Sequence, residues 1–219
     1  MPRMARLVVP GLPHHITQRG SRRQRTFFDD ADYVAYLDLI RDTRLAAGVD
    51  IWAYCLMPNH VHMVAVPEKK DSLARLLRIA HHRHARRVNA AHGWRGHLWQ
   101  ERFHSFVMDE MHLLAAVRYI ELNPVRAGLC KRVEDWPWSS VHAYLHGEGN
   151  GIVNVQPMLA LVRDWRAYLA LRDPPATIRT LRAHSNTGRP AGSAEFVASL
   201  ERLSGRTLRK RKPGPPPQG

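Results

Sequence analysis

Between residues 49 and 67 apolar and polar positions alternate with a period of two, "VDIWAYCLM" then "HVHMVAVP", broken only at Pro58-Asn59. This spacing predicts a β-hairpin. On either side the period lengthens to that of a helix. Tyr33, Leu37 and Ile40 recur at helical spacing behind Asp29 and Asp30, which offer an N-cap, and Gly48 supplies a stop, so a helix is expected over about 31–47. A longer helix should run from Asp71 or Ser72 to about residue 91. Its stripe of Leu73, Leu76, Leu77, Ala80 and Val88 leaves Arg75, Arg78, Arg83, Arg86 and Arg87 mostly outside. Strands over His15 to Arg19 and in "RFHSFVM", with a helix from Glu110 to Asn123, complete the order βαββαβα. The predicted class is α+β: a ferredoxin-like or RRM-like antiparallel sheet with helices on one face, followed by a helical, basic C-terminal extension.

The extension differs in character. A short helix near "SSVHAYL" should end at Gly147, and "GEGNG" reads as a spacer. Pro157 then opens an expected helix with Met158, Leu161, Val162, Trp165 and Leu169 on one face. From Arg172 to Gly219 there are ten Lys/Arg against three Asp/Glu, a net +7 that is half of the chain's +14. Within it Ser193 to Leu203 can form one more helix, whereas "RTLRKRKPGPPPQG" is too polar and proline-rich to fold. The expected division is residues 1–147 as one domain, 148–205 as a helical extension and 206–219 as a disordered basic tail.

Charge narrows the partner. An excess of +14 with a pI near 10.8 favours a polyanion such as nucleic acid over an acidic lipid surface. No apolar run approaches the ~20 residues of a membrane helix. Cys55 and Cys130 stand far apart without a CxxC partner, so neither a disulfide framework nor a thiolate zinc site is supported.

The candidate chemistry lies in "PNHVHMV". Residues two apart on a strand share a face, so His60 and His62 present two imidazoles side by side, suited to a divalent metal that takes one more ligand from elsewhere. Two hydrogen-bonded core or edge histidines are an equally good account of those letters alone. In "YIELNP", Tyr119 and Asn123 fall on one flank of the helix stripe, about 40° apart. An amide oxygen can ligate a hard cation, and a phenol one turn away is a candidate nucleophile. Alternatively Tyr119 borders the core and Asn123 ends a helix before Pro124.

Together with "GLPHHITQRG", "CLMPNHVHMV", "LWQERFHSFVMD", "AVRYIELNPVRAGL", "WPWSS" and "TGRPAGSAEFVASLE", these residues resemble the single-tyrosine HUH transposases, and within them the REP-associated tyrosine transposases, over nearly the whole chain. The resemblance implies that His60 and His62 are metal ligands, that Tyr119 is the nucleophile, and that Asn123 contributes to the metal site where insertion-sequence relatives carry glutamine. It also implies Mg²⁺ or Mn²⁺, although Zn²⁺ or Cu²⁺ would bind imidazoles more tightly. Attack by Tyr119 would leave a 5′-phosphotyrosine and a free 3′-OH. Neutral ligands would leave the ion its full charge. Competition between protons and metal at imidazoles of ordinary pKa ~6.5 predicts activity falling below about pH 6.

The implied partner is single-stranded DNA folded into a hairpin, with no membrane and no obligate protein partner, in the cytoplasm beside the nucleoid. A monomer is expected, with a dimer as the alternative. Arg22, Arg23, Arg25, Arg75, Arg78, Arg83 and Arg86 are expected on phosphates, Trp94 and Trp99 on unpaired bases, and Arg189, Arg209, Lys210, Arg211 and Lys212 on DNA from the extension. "TGRPAG" resembles a minor-groove hook. His81, His82 and His84 are assigned to the polar face of their helix. Two other functions stay open: a catalytically silent hairpin-binding regulator, and a metal nuclease that uses water.

Overall fold

The computed structural model describes residues 6–209. Its sheet is built from β1 (His14–Arg19), β2 (Val49–Met57), β3 (His60–Pro67) and β4 (His104–Val107), in the order β2-β3-β1-β4 with every pair antiparallel. With α1 (Asp30–Ala47) between β1 and β2, and α2 (Ser72–His92) between β3 and β4, this is the expected split βαβ arrangement.

Local chemistry fixes the ends of these elements. The Asp29 carboxylate accepts from the Asp32 amide at 2.9 Å and caps α1, and Gly48 stops the helix at φ +65°, a left-handed turn that glycine adopts without a Cβ clash. In α3 (Glu110–Glu121) Asp109 caps the start by accepting from His112 N at 3.0 Å. The expected helix to Asn123 stops two residues early. Pro124 can neither donate to nor fit beneath the preceding turn, so the chain restarts as the short α4 (Asn123–Arg126) with proline in its first turn.

Helices cover both sheet faces. Gln18 of β1 lines the same space as Leu77 and His81 of α2, whereas the neighbouring positions His15 and Thr17 face the other way, toward α3. The expectation of helices on one face thus holds for α1 and α2, and α3 occupies the opposite face.

The C-terminal half packs into the same core. Beyond α5 (Val141–His146), the helix expected from Pro157 is two helices, α6 (Gln156–Leu161) and α7 (Trp165–Ala170). Asp164 breaks the run by capping α7, accepting from Ala167 N at 2.9 Å. An unpredicted helix, α8 (Pro175–Thr187), buries only Leu181 and so had no apolar stripe to announce it. α9 (Ala194–Ser204) lies where a helix over Ser193 to Leu203 was expected, and Ser193 caps it by accepting from Phe196 N. Val153, Met158, Trp165, Tyr168, Leu181 and Ala191 all join the core cluster that contains the sheet. A smaller cluster of Leu7, Val9, Val107, Leu200 and Leu208 fastens α9 to the edge strand β4.

Candidate active site

Strand register brings the site together. β1 and β3 pair with Thr17 opposite His62, Arg19 opposite His60 and His15 opposite Val64. Alternation therefore places His15, His60 and His62 on the face that α3 covers. The His60 and His62 rings lie 4.9 Å apart and nearly perpendicular. Tyr119 enters from α3 with its ring 5.8 Å from that of His62, again edge-on, and is 7% exposed.

The imidazole nitrogens sort themselves by partner. His60 Nδ1 is 2.6 Å from Asn59 Oδ1, an acceptor only, so this nitrogen carries the proton and Nε2 keeps its lone pair. His62 Nδ1 lies 3.0 Å from His15 Nε2. If His62 donates in that bond, its Nε2 is likewise left with a lone pair. Burial holds the rings neutral: His60 is lowered to about 4, helped by Arg19, and His62 lies well below its ordinary value, with His60 and His15 adding to the burial effect. Asn123 Nδ2 is 3.4 Å from His60 Nε2, so the amide stands at the mouth of the pair.

This donor set fits a divalent cation: two neutral imidazoles, each with Nδ1 committed elsewhere, and an adjacent amide. No cluster of three His, Cys, Asp or Glu side chains suited to a metal occurs among the described residues. The side chain next to the histidine pair is instead the Asn123 amide, with its Nδ2 toward His60 and its Oδ1 toward Arg126.

Two neighbours were not singled out from sequence. Arg126 places its guanidinium 4.0 Å from the centre of the Tyr119 ring, donates to Tyr119 O at 2.8 Å and to Asn123 Oδ1 at 3.2 Å. Its position three residues after Asn123 in "NPVR" was the available signal. His15 is the other; it is lowered to about 3 by burial, and its Nδ1 has no hydrogen-bond partner. The doubled "HH" was visible, but its approach to His62 depends on strand register. Glu121, fully buried, accepts from Ser140 Oγ at 2.8 Å and Trp165 Nε1 at 2.9 Å. Through it "WPWSS" and α7 hold the end of the tyrosine helix.

Of the expected DNA contacts, the loop after β1 adjoins this site, with Arg23 O accepting from Asn59 Nδ2 at 3.1 Å, whereas the arginines of α2 lie beyond the other sheet face. Arg22, Arg23 and Arg25 are exposed in the loop after β1, and Arg78, Arg83 and Arg86 are exposed on α2. Arg75 is half-buried and donates to Ala46 O at 2.8 Å, which ties α2 to the end of α1. Trp94 is 43% exposed and stacks on His92. Trp99 corrects the expectation of a free stacking platform: at 9% exposure it packs on His81 and Phe27 and donates to His81 O at 3.1 Å. His81 and His84 likewise leave the polar face assigned to them. With Leu77 and Val88 they form one stripe at helical spacing, and only His82 is exposed.

Arg189 donates to Leu208 O, and Arg209 pairs with Glu201 at 3.3 Å. "TGRPAG" is also engaged within the fold, with Ala191 exchanging backbone bonds of 3.0 and 2.9 Å with Asp109 N and Val107 O. Lys210, Arg211 and Lys212 lie outside the described residues. No helix among the described residues is long and apolar enough to cross a membrane.

Residues 8–123 match the IS200-like transposases, and the chain belongs to that family. A protein of Haemophilus influenzae assigned to the REP-associated tyrosine transposases is 32% identical over 109 residues, 44% of this chain and 61% of the relative. The REP-associated tyrosine transposase of Escherichia coli is 29% identical over 94 residues, 42% of this chain and 54% of that protein. The chain thus spans little more than half of each relative's length. A solved REP-associated tyrosine transposase bound to a REP hairpin shares the fold, with a TM-score of 0.57 at 24% identity over 71% of this chain and 90% of that one.

Proposed function

We propose that the chain cleaves and rejoins single-stranded DNA at repeat-derived hairpins through a covalent tyrosine intermediate. The observation that carries this reading is the edge-on approach of Tyr119 to His62, with Arg126 over the phenol ring. In the cleavage step Tyr119 Oη bonds to the scissile phosphorus as the 3′ oxygen departs. The phenol proton goes to solvent or a base, the departing 3′ oxygen takes one from solvent, and the products are a 5′-phosphotyrosine and a 3′-OH. Attack by a 3′-OH reverses the step and conserves the phosphodiester. His60, His62 and Asn123 would hold Mg²⁺ or Mn²⁺, and the bound ion would supply positive charge to the phosphate oxygens. Arg126 favours the charge that builds on the phenol oxygen and holds the Asn123 amide in place.

Residues 1–147 carry this chemistry in our assignment, and residues 148–205 serve affinity and hairpin discrimination. A second reading, a silent hairpin-binding regulator, draws on the burial of Tyr119, His62 and Asn123, which DNA would have to open.

The deciding test incubates the full chain with a 3′-labelled hairpin oligonucleotide from repeats of the source genome and Mn²⁺, resolved on a denaturing protein gel. A labelled adduct from the wild type but not from Tyr119→Phe is expected. Free cut DNA from both would replace the tyrosine with water, and tight binding without cutting would select the regulator.

A further inference from the structure

On the sheet face away from Tyr119 the protein holds a cavity of about 630 Å³, between α2 and the loop over residues 94–103. The sequence of α2 explains the space. Ala74, Arg78, His81, Ala85 and Asn89 recur every three or four residues and so present one stripe to the loop, and two of the five are alanines that leave the gap unfilled. Gln18 contributes from the sheet; it neighbours Thr17, the partner of His62, and therefore points to the opposite face.

The lining has two chemistries. Leu77, Leu98, Trp99 and Phe103 make apolar walls, and Arg78, Arg86 and Arg102 stand at the rim. Arg87 nearby is spent on Asp32 at 3.2 Å, but these three arginines form no ion pair among the described residues. Glu101 is the one carboxylate in the lining. The volume falls in the ~300–1,000 Å³ range of small-molecule sites. Two hollows continue the cavity, one sharing Trp99 and Arg102 and reaching Arg22, the other sharing Arg86 and reaching Arg83 and Trp94. A basic trough thus runs along α2 with the apolar cavity at its middle.

We propose that this cavity receives one nucleobase turned out of a single-stranded DNA segment, with Arg78, Arg86 and Arg102 holding the flanking phosphates. A flat, largely apolar ring beside an anionic linkage complements both chemistries at once, whereas a bare phosphate would use only the rim. The inference rests on the reading of the chain as a single-strand DNA enzyme and adds a contact remote from its nucleophile. A free nucleotide shares the same chemistry.

The test measures binding of the full chain to a labelled single-stranded oligonucleotide, to one of equal length and charge with abasic sites throughout, to deoxynucleoside monophosphates and to inorganic phosphate. The expected result is at least fivefold tighter binding of the base-bearing strand, as base stacking of ~1–3 kcal/mol implies. Ala85→Phe, which fills the cavity, should remove that preference and leave the abasic affinity unchanged. Ala74→Phe, at an exposed position on the same stripe, does the same without burdening the core. Equal affinity for the two strands in the wild type, or a preference that survives both substitutions, overturns the proposal. Saturable binding of a monophosphate above phosphate, without any strand preference, assigns the cavity to a free nucleotide and overturns it for DNA. Adduct formation at Tyr119 is scored separately. An adduct without base preference sinks the cavity alone, and base preference without an adduct sinks the transfer chemistry alone.

Discussion

Two groups of histidines sit on opposite faces of one sheet, all buried except the half-buried His60, and their chemistry differs although burial lowers the pKa of both. On the α3 face, His60 and His62 each commit Nδ1 to a neighbour, Asn59 and His15, and stand beside the amide of Asn123. On the α2 face, His84 Nε2 donates to Thr26 O at 2.7 Å, and His81 Nε2 meets the hydroxyl of Tyr36 at 3.0 Å. Phe27, Tyr36 and Trp99 enclose that second group. Burial pushes both groups down, His60 to about 4 and His81 to about 3. A depressed imidazole therefore does not mark a site. What separates the groups is whether the remaining nitrogens face other ligands or the core.

The sharpest way to break this comparison is to truncate one member of each group. His62→Ala should abolish adduct formation, by a factor above ~10³, and eliminate Mn²⁺ binding by calorimetry, while shifting Tm by only a few degrees. His84→Ala should do the reverse. It leaves a cavity among aromatic rings and deprives Thr26 O of its donor, costing about 2–4 kcal/mol, and it should lower Tm by roughly 5–12 °C with Mn²⁺ affinity retained. Metal binding lost equally in both variants would merge the two groups.

What the groups share gives the next largest effect. A histidine with a depressed folded value is protonated first in the unfolded chain, so its stabilising contribution is complete above about pH 6.5 and is lost as pH falls toward the folded value. His14 and His60 lie near 4, and His15 and His81 near 3. At pH 5.5 each has removed about 1.4 kcal/mol, and four together approach a typical total stability of ~5–15 kcal/mol. Acid unfolding, followed by tryptophan fluorescence, should have its midpoint between about pH 4.5 and 5.5. This moves the expected acid loss of activity from ligand protonation near pH 6 to unfolding. A fold intact at pH 4 would show that these rings reach solvent.

Periodicity made the fold legible where one face of an element is apolar. The hairpin at Pro58-Asn59, the stripe of α2 and the Gly48 stop are all local signals, and all appear where expected. α8 escaped because it buries one leucine, and α3 was drawn two residues too long although Pro124 was in view. The pair His60 and His62 and the partner Tyr119 could be named from spacing and resemblance. Their supports could not, because His15 meets His62 only through the β1–β3 register and Glu121 meets Trp165 across 44 residues. Histidines on α2 misled because the arginines between them hid a stripe that a count of every third or fourth residue recovers.

His15 offers a finer test of what distinguishes the active face. For His62 Nε2 to ligate, His62 must donate from Nδ1 and His15 must accept, which leaves the His15 proton on a buried Nδ1 without a partner. That arrangement costs about 1–3 kcal/mol unless the bound ion offsets it. His15→Phe removes the acceptor and frees the His62 ring to turn. Mn²⁺ affinity should fall roughly 10- to 100-fold with Tm unchanged or raised. Unchanged affinity would reduce His15 to packing and leave His62 oriented by its strand alone.

The smallest effect comes from Glu121, a buried titratable group on the active face whose role is structural. Burial raises its carboxyl to about 7, against the opposing hydrogen bonds from Trp165 and Ser140. For an acid raised in the folded state the sign is opposite to that of the low-pH histidine effect: the folded protein holds the proton more tightly, so stability falls as pH rises from about 4.5 to 7. Between pH 6 and 8 this amounts to roughly 1 kcal/mol. Glu121→Gln keeps an acceptor and removes the charge. The difference in Tm between this variant and the wild type should move by a few degrees in the variant's favour from pH 6 to pH 8, with adduct yield unchanged. A loss of adduct without a change in Tm would instead tie Glu121 to the chemistry of Tyr119, and the active face would then extend through α3 to Trp165.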